Sequence, residues 1–195
     1  MDTCFKDVTI EFLSIAFHNI LYYASVYPKN IFESRRKYGI VVYRSCHPDI
    51  NTYIDSCLKS VSVCLEHGQL NRIDFAVTNN TYESLIKFVF EVNRNELFDE
   101  TKDAYLVQAE QNLRAFCLSL TSAIDKFKDL PEDCSFSIFI HSNESTAVTM
   151  ASNAQLEVFP LVEVSETSKI TEKILPLQRI SIQNYHLDTY IEVKE

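Results

Sequence analysis

Residues 8–27 are apolar on almost every side, which restricts the possible folds more than anything else in the chain. Phe12, Leu13, Ile15, Ala16, Phe17, Ile20, Leu21, Tyr22, Tyr23 and Val26 leave no polar stripe to face water. A helix hydrophobic all round has to be buried among other elements. The spacing therefore predicts a central helix with the rest of the chain arranged about it, and Pro28 supplies the stop. The longest apolar run, Phe12 to Val26, is too short to cross a bilayer and is broken by His18 and Asn19, so no membrane partner is expected.

What packs on that helix follows from periodicity. A β-prone stretch at residues 38–43 is entered through a turn. Pro48 suits a first helical turn, and Asp49 sits at the positive end of the dipole. Ile50, Tyr53, Ile54, Cys57, Leu58, Val61, Cys64 and Leu65 then recur at helical spacing, with Gly68 placed for a left-handed cap. Ile73, Phe75 and Val77 alternate with polar residues, Asn79-Asn80-Thr81 turns the chain, and Ile86, Phe88, Phe90 and Val92 alternate on the return, an antiparallel hairpin. A third helix is expected over residues 103–128 and a further strand of the same sheet at Phe136, Ile138 and Ile140.

Beyond residue 142 the pattern weakens. Residues 142–156 are rich in Ser, Thr, Asn and Ala, an apolar piece runs over residues 158–162, and residues 165–173 read as a polar loop. A β-prone tail over residues 180–193 either pairs with a sheet edge or stays loose. The fold class is therefore α/β of the α+β kind, one domain over residues 1–195. Its helix-sheet core is residues 1–142 and its C-terminal segment residues 143–195.

Composition and motifs exclude most chemistry. Net charge is −9 at a pI of about 5.1, and the densest basic cluster is only Arg35-Arg36-Lys37, so no direct nucleic-acid partner is expected. The two glycines, Gly39 and Gly68, form no loop that could cradle phosphates. Cys46-His47 and the Cys57/Cys64 pair lack metal-site spacing; Cys46 is expected to pack and His47 to cap the following helix. The histidines at 18, 47, 67, 141 and 186 stand in no nucleophile context, and His18 reads as a hydrogen-bonded core residue. No enzyme activity and no cofactor are expected. The acidic start, Asp2, Asp7 and Glu11, is wrong for a signal peptide, so the six cysteines point to a reducing compartment.

Several strings carry a resemblance. They are Glu11-Phe12-Leu13, Val26-Tyr27-Pro28 with Ile31-Phe32, Arg36-Lys37-Tyr38, Ser45-Cys46-His47-Pro48 with Asn51-x-Tyr53-Ile54, and Lys87-Phe88-Val89-Phe90-Glu91. Leu113-Arg114-Ala115-Phe116, Cys134-x-Phe136, Phe159-Pro160, Pro176-Leu177 and Tyr190-x-Glu192 continue in the same order. Together they resemble the HORMA domain family, and within it the accessory subunits of DNA polymerase zeta, over nearly the whole chain. Checkpoint members share the Tyr-Pro, Lys-Tyr-Gly and Cys-x-Phe elements but not the Ser-Cys-His-Pro string.

The resemblance implies a non-catalytic adaptor whose C-terminal "safety belt" closes over a proline-containing partner peptide added as a strand to the sheet. Tyr53 matches the tyrosine that contacts the ligand, with Phe159, Pro160 and Leu161 beside it; Leu161 replaces a tryptophan of better-known members. Ile174, Asp188 and Tyr190 match a patch that meets a scaffold translesion polymerase, with Asp188 in place of glutamine. Arg114 matches an arginine of HORMA–HORMA dimerisation. The implied partners are the catalytic subunit of DNA polymerase zeta, the scaffold polymerase, and another HORMA protein or a second copy. The implied setting is the nucleus, and also the cytoplasm, in translesion synthesis and double-strand-break repair. The spindle checkpoint or the meiotic axis is the alternative assignment. A small hydrolase is a third reading, from another class.

Overall fold

The structure, a computed structural model, describes residues 3–94, 105–123, 127, 130–142, 172–182 and 185–194. Three helices, α1 (Thr3–Tyr23), α2 (Pro48–Glu66) and α3 (Tyr105–Ser122), cover one face of a five-stranded antiparallel sheet. The strands are β3 (Leu70–Thr78), β4 (Ser84–Arg94), β5 (Ser135–Ser142), β6 (Glu172–Ile182) and β7 (Tyr185–Lys194), in the order β5-β3-β4-β7-β6. A separate hairpin, β1 (Phe32–Lys37) with β2 (Ile40–Ser45), packs its second strand against α1.

The central helix is as buried as its composition requires: Phe12, Leu13, Ala16, Phe17, Ile20 and Leu21 are all in the core. Phe17 meets Phe75 and Phe90, and Phe12 meets Phe90 and Phe116, at centroid distances of 4.9–6.0 Å, so one aromatic cluster joins α1, α3, β3 and β4. The helix ends at Tyr23, short of the expected residue 27. Ser25 takes a φ of 53°, its N–H bonds the Tyr22 carbonyl, and the Val26 N–H bonds that of Leu21. This is a Schellman cap, in which an apolar residue just past the turn packs back on the last turn. Val26, buried like a helical residue, supplies that contact and so mimicked another turn of stripe. The α2 cap has the same bonds at Gly68 and Gln69, where Gly68 has a φ of +66°.

Further expectations change. The stretch at residues 38–43 is a turn plus one arm of a hairpin: Tyr38 and Gly39 both have positive φ, the conformation of a two-residue turn that suits the strand twist. Its other arm, β1, is almost wholly exposed and charged, so it carries no apolar alternation to read. The tail is likewise two strands, with β6 beginning at Glu172 inside the expected loop. Cys46 is exposed rather than packed, while Cys57, Cys64 and Cys117 are buried. His47 occupies the N-cap of α2, but its side chain makes no capping bond.

His18 is buried on α1, where its Nδ1 accepts the Ser45 N–H at 3.4 Å. Nδ1 as acceptor places the proton on Nε2, which has no hydrogen-bond partner among the described residues. Burial, with the nearby Arg44 charge, lowers its pKa to about 4. The unfolded chain, with an ordinary histidine near 6.5, then binds more protons between those values. Stability from neutral His18 is therefore complete above pH 6.5 and lost as pH falls through 4, by about 3 kcal/mol in all. Urea melts of the wild type should weaken over that window, and those of His18→Phe should be flatter; parallel curves would remove His18 as the source.

Candidate functional site

Among the described strands, β5 borders only β3, so its outer edge is where a further strand could add. An edge strand turns the N–H and C=O of every second residue outward. Ile138 is one of these residues, because its N–H goes to the Tyr53 hydroxyl at 3.3 Å rather than to β3. Tyr53 reaches it from α2, where helical spacing puts Cys57 one turn on; the Tyr53 hydroxyl hydrogen-bonds the Cys57 thiol. Burial pushes the phenol up to about 12 and the thiol up to about 11, so both are neutral at physiological pH. Phe136, on β5, stacks on Phe75 at 5.1 Å and presents an edge contact to Tyr53 at 5.3 Å and to Tyr27 at 6.2 Å. Tyr53, Phe136 and Tyr27 form an aromatic wall along this edge.

The sheet face away from the helices carries a charged network. Arg72 on β3 donates to both Asp74 carboxylate oxygens at 2.5 and 3.0 Å, and to Glu192 on β7 at 2.9 Å. It also donates to the Tyr190 hydroxyl at 3.3 Å, which itself donates to Glu91 on β4 at 2.6 Å. His141 on β5 completes the span, 3.1 Å from Asp74. Asp74 and Glu192 are 4% and 8% exposed. Burial opposes the charge of Asp74, yet the bonds from His141 and Arg72 hold its carboxyl below the usual range. Burial and the Glu91 bond push the Tyr190 phenol up. The network thus ties four strands, from the outer edge to the C-terminal hairpin.

Residues 6–146 match the family model of the HORMA domain. The chain belongs to the HORMA domain family. The human protein named "Mitotic spindle assembly checkpoint protein MAD2B" is 31% identical over 188 residues, covering 95% of this chain and 89% of its own. The fruit-fly "DNA polymerase zeta subunit 2" is 27% identical, covering 95% and 96%. The Arabidopsis thaliana "DNA polymerase zeta processivity subunit" is 26% identical, covering 75% and 67%. Among solved structures, a chain of the "Mitotic Checkpoint Complex" has the same fold at a TM-score of 0.83 and 16% identity, covering 99% of this chain and 100% of its own. A chain in the "Structure of HTP-2 bound to HTP-3 motif-6" follows at 0.76 and 11% identity, covering 97% and 89%. The three helices and the mainly antiparallel sheet are those of a HORMA domain.

The sequence-predicted residues of this HORMA chain fall in separate places. Tyr53 lies at the β5 edge. Phe159, Pro160 and Leu161 lie outside the described residues. Ile174, Asp188 and Tyr190 come together on the network face of the C-terminal hairpin, since Ile174 pairs with Glu192 across β6 and β7 and residues 188, 190 and 192 alternate onto one side. Ile174 is exposed, whereas Asp188 is held by Arg179 at 2.5 and 3.1 Å and by Asn93 at 3.2 Å. Arg114, exposed on α3, comes near the turn of the first hairpin, 3.6 Å from where a Cβ on Gly39 would sit. Sequence reasoning missed Tyr27 and Phe136 as partners of Tyr53, and missed Arg72, Asp74 and Glu192. The signal was present: Arg72-x-Asp74 puts two opposite charges on the same side of a strand whose other side is apolar. Among the described residues no group of three His, Cys, Asp or Glu could hold a metal, and no helix is long and apolar enough to cross a membrane.

Proposed function

We propose that the chain is a non-catalytic adaptor that accepts an extended, proline-containing partner peptide along the outer edge of β5 and holds it with residues 143–195. The observation that carries the reading is the combination of an outward-facing strand edge with the aromatic wall of Tyr53, Phe136 and Tyr27. Main-chain bonds supply affinity in strand addition, and flanking side-chain pockets supply specificity. Relatives named as subunits of DNA polymerase zeta support an accessory role in that enzyme, hence in DNA damage tolerance and double-strand-break repair. The catalytic subunit is then the source of the peptide, and the nucleus, with the cytoplasm, is the setting. The Ile174, Asp188 and Tyr190 face would receive the scaffold polymerase. Arg114 would lie in a contact with a second copy or another HORMA protein.

Titration of a proline-bearing peptide from the polymerase zeta catalytic subunit tests this. Tyr53→Ala should weaken binding by about 2 kcal/mol, or about 30-fold, as truncating an aromatic anchor does, while the domain stays folded. Unchanged affinity would take Tyr53 out of the site. The second reading, a checkpoint or meiotic-axis HORMA protein, rests on the name of the human relative and on the checkpoint-complex neighbour. Co-purification of checkpoint proteins instead of polymerase subunits would favour it.

A further inference from the structure

We infer that the Tyr53 hydroxyl is the resident cap of the β5 edge: it fills the hydrogen-bonding place at Ile138 that a backbone carbonyl of the incoming peptide has to take. The inference rests on the adaptor reading only for the identity of the peptide. An uncapped strand edge pairs with any extended chain, and proteins protect such edges. At Ile138 the protection among the described residues is a phenol. The Ile138 N–H donates to the hydroxyl oxygen at 3.3 Å, and the hydroxyl is also hydrogen-bonded to Cys57 on the same face of α2. With the hydroxyl proton directed to sulfur, an oxygen lone pair is left for the amide. The ring cannot swing freely, because Phe136 packs against it and is itself stacked on Phe75. Ring and hydroxyl therefore act in opposite directions on a ligand: the ring is wall, the hydroxyl is competitor. A peptide gains this position only by presenting a carbonyl opposite Ile138 good enough to replace a bond already made. Every residue of an extended chain carries such a carbonyl, so the hydroxyl raises the threshold for all chains alike.

The test is Tyr53→Phe in the full chain, which keeps the ring and deletes the competitor. Amide exchange of the free protein, read by NMR, needs no ligand. The Ile138 amide should be protected in the wild type and exchange about tenfold faster in Tyr53→Phe, with the β5 amides that face β3 unchanged. Equal Ile138 rates in the two proteins would overturn the cap. In the peptide titration above, Tyr53→Phe should bind roughly three- to tenfold tighter than wild type while Tyr53→Ala binds more weakly. Tyr53→Phe binding no tighter would overturn the competition. If the wild type does not bind that peptide at all, the polymerase-subunit reading falls, and the exchange experiment still decides whether the edge is capped.

Discussion

Deleting residues 176–195 should leave a chain without a cooperative fold. The expectation from sequence is a tail that can be removed with only the loss of peptide capture. The structure places it otherwise. β7 pairs with β4 along its length, from Ile86 with Val193 to Arg94 with Tyr185, and stands between β4 and β6 rather than outside a finished sheet. Ile180, Leu187 and Ile191 are 0–1% exposed and belong to the same core as Phe88, Phe90 and Phe116. Burial of three such side chains contributes roughly 5–8 kcal/mol, as much as the whole net stability of many domains. The truncated protein should show a broad thermal transition and collapsed amide dispersion. A sharp two-state melt near the wild-type temperature would show that the first 175 residues are an independent unit.

Arg72→Ala should cost about 3–5 kcal/mol of stability, more than an ordinary loss of a surface charge. The substitution removes the cation from between Asp74 and Glu192, both nearly buried, and leaves two carboxylates facing one side of the sheet. It also takes a donor from Tyr190. The cost comes from two nearly buried acids that lose their shared cation, keeping His141 beside Asp74 and Lys87 3.9 Å from Glu192, so Arg72→Met combined with Asp74→Leu and Glu192→Leu should be less damaging than Arg72→Ala alone. Urea denaturation of the two variants checks this. If the triple variant is the less stable, the network stabilises by mutual attraction and not merely by compensating its own burial.

The two faces of the sheet were not equally legible. Alternation exposes the helix-facing side in plain view, because Ile73, Phe75 and Val77 or Ile86, Phe88 and Phe90 differ in polarity from their neighbours. The buried α1 and the amphipathic α2 were readable for the same reason. The strand β1, with Arg35, Arg36 and Lys37, has no such contrast, and only the positive φ at Tyr38 and Gly39 reveals its hairpin. For the site, Tyr53 was found through a resemblance, and nothing in its helical spacing distinguished it from core. Its role at an edge depends on Phe136 and Ile138, more than eighty residues away, a pairing that only the folded sheet makes. The Arg72 network joins residues up to 120 apart, so of its members only the Arg72-x-Asp74 pair left a mark in the sequence.

The place of β7 also sets a timetable for synthesis. Its partner β4 is made roughly a hundred residues earlier, which at about 5–20 residues per second is a wait of about 5–20 s. Throughout that interval the nascent chain carries an open strand edge beside Phe88 and Phe90, the kind of surface that neighbouring chains and chaperones bind. Closing so long a loop is also intrinsically slow. Shelter of that one edge until β7 arrives is therefore a condition that folding during synthesis has to meet.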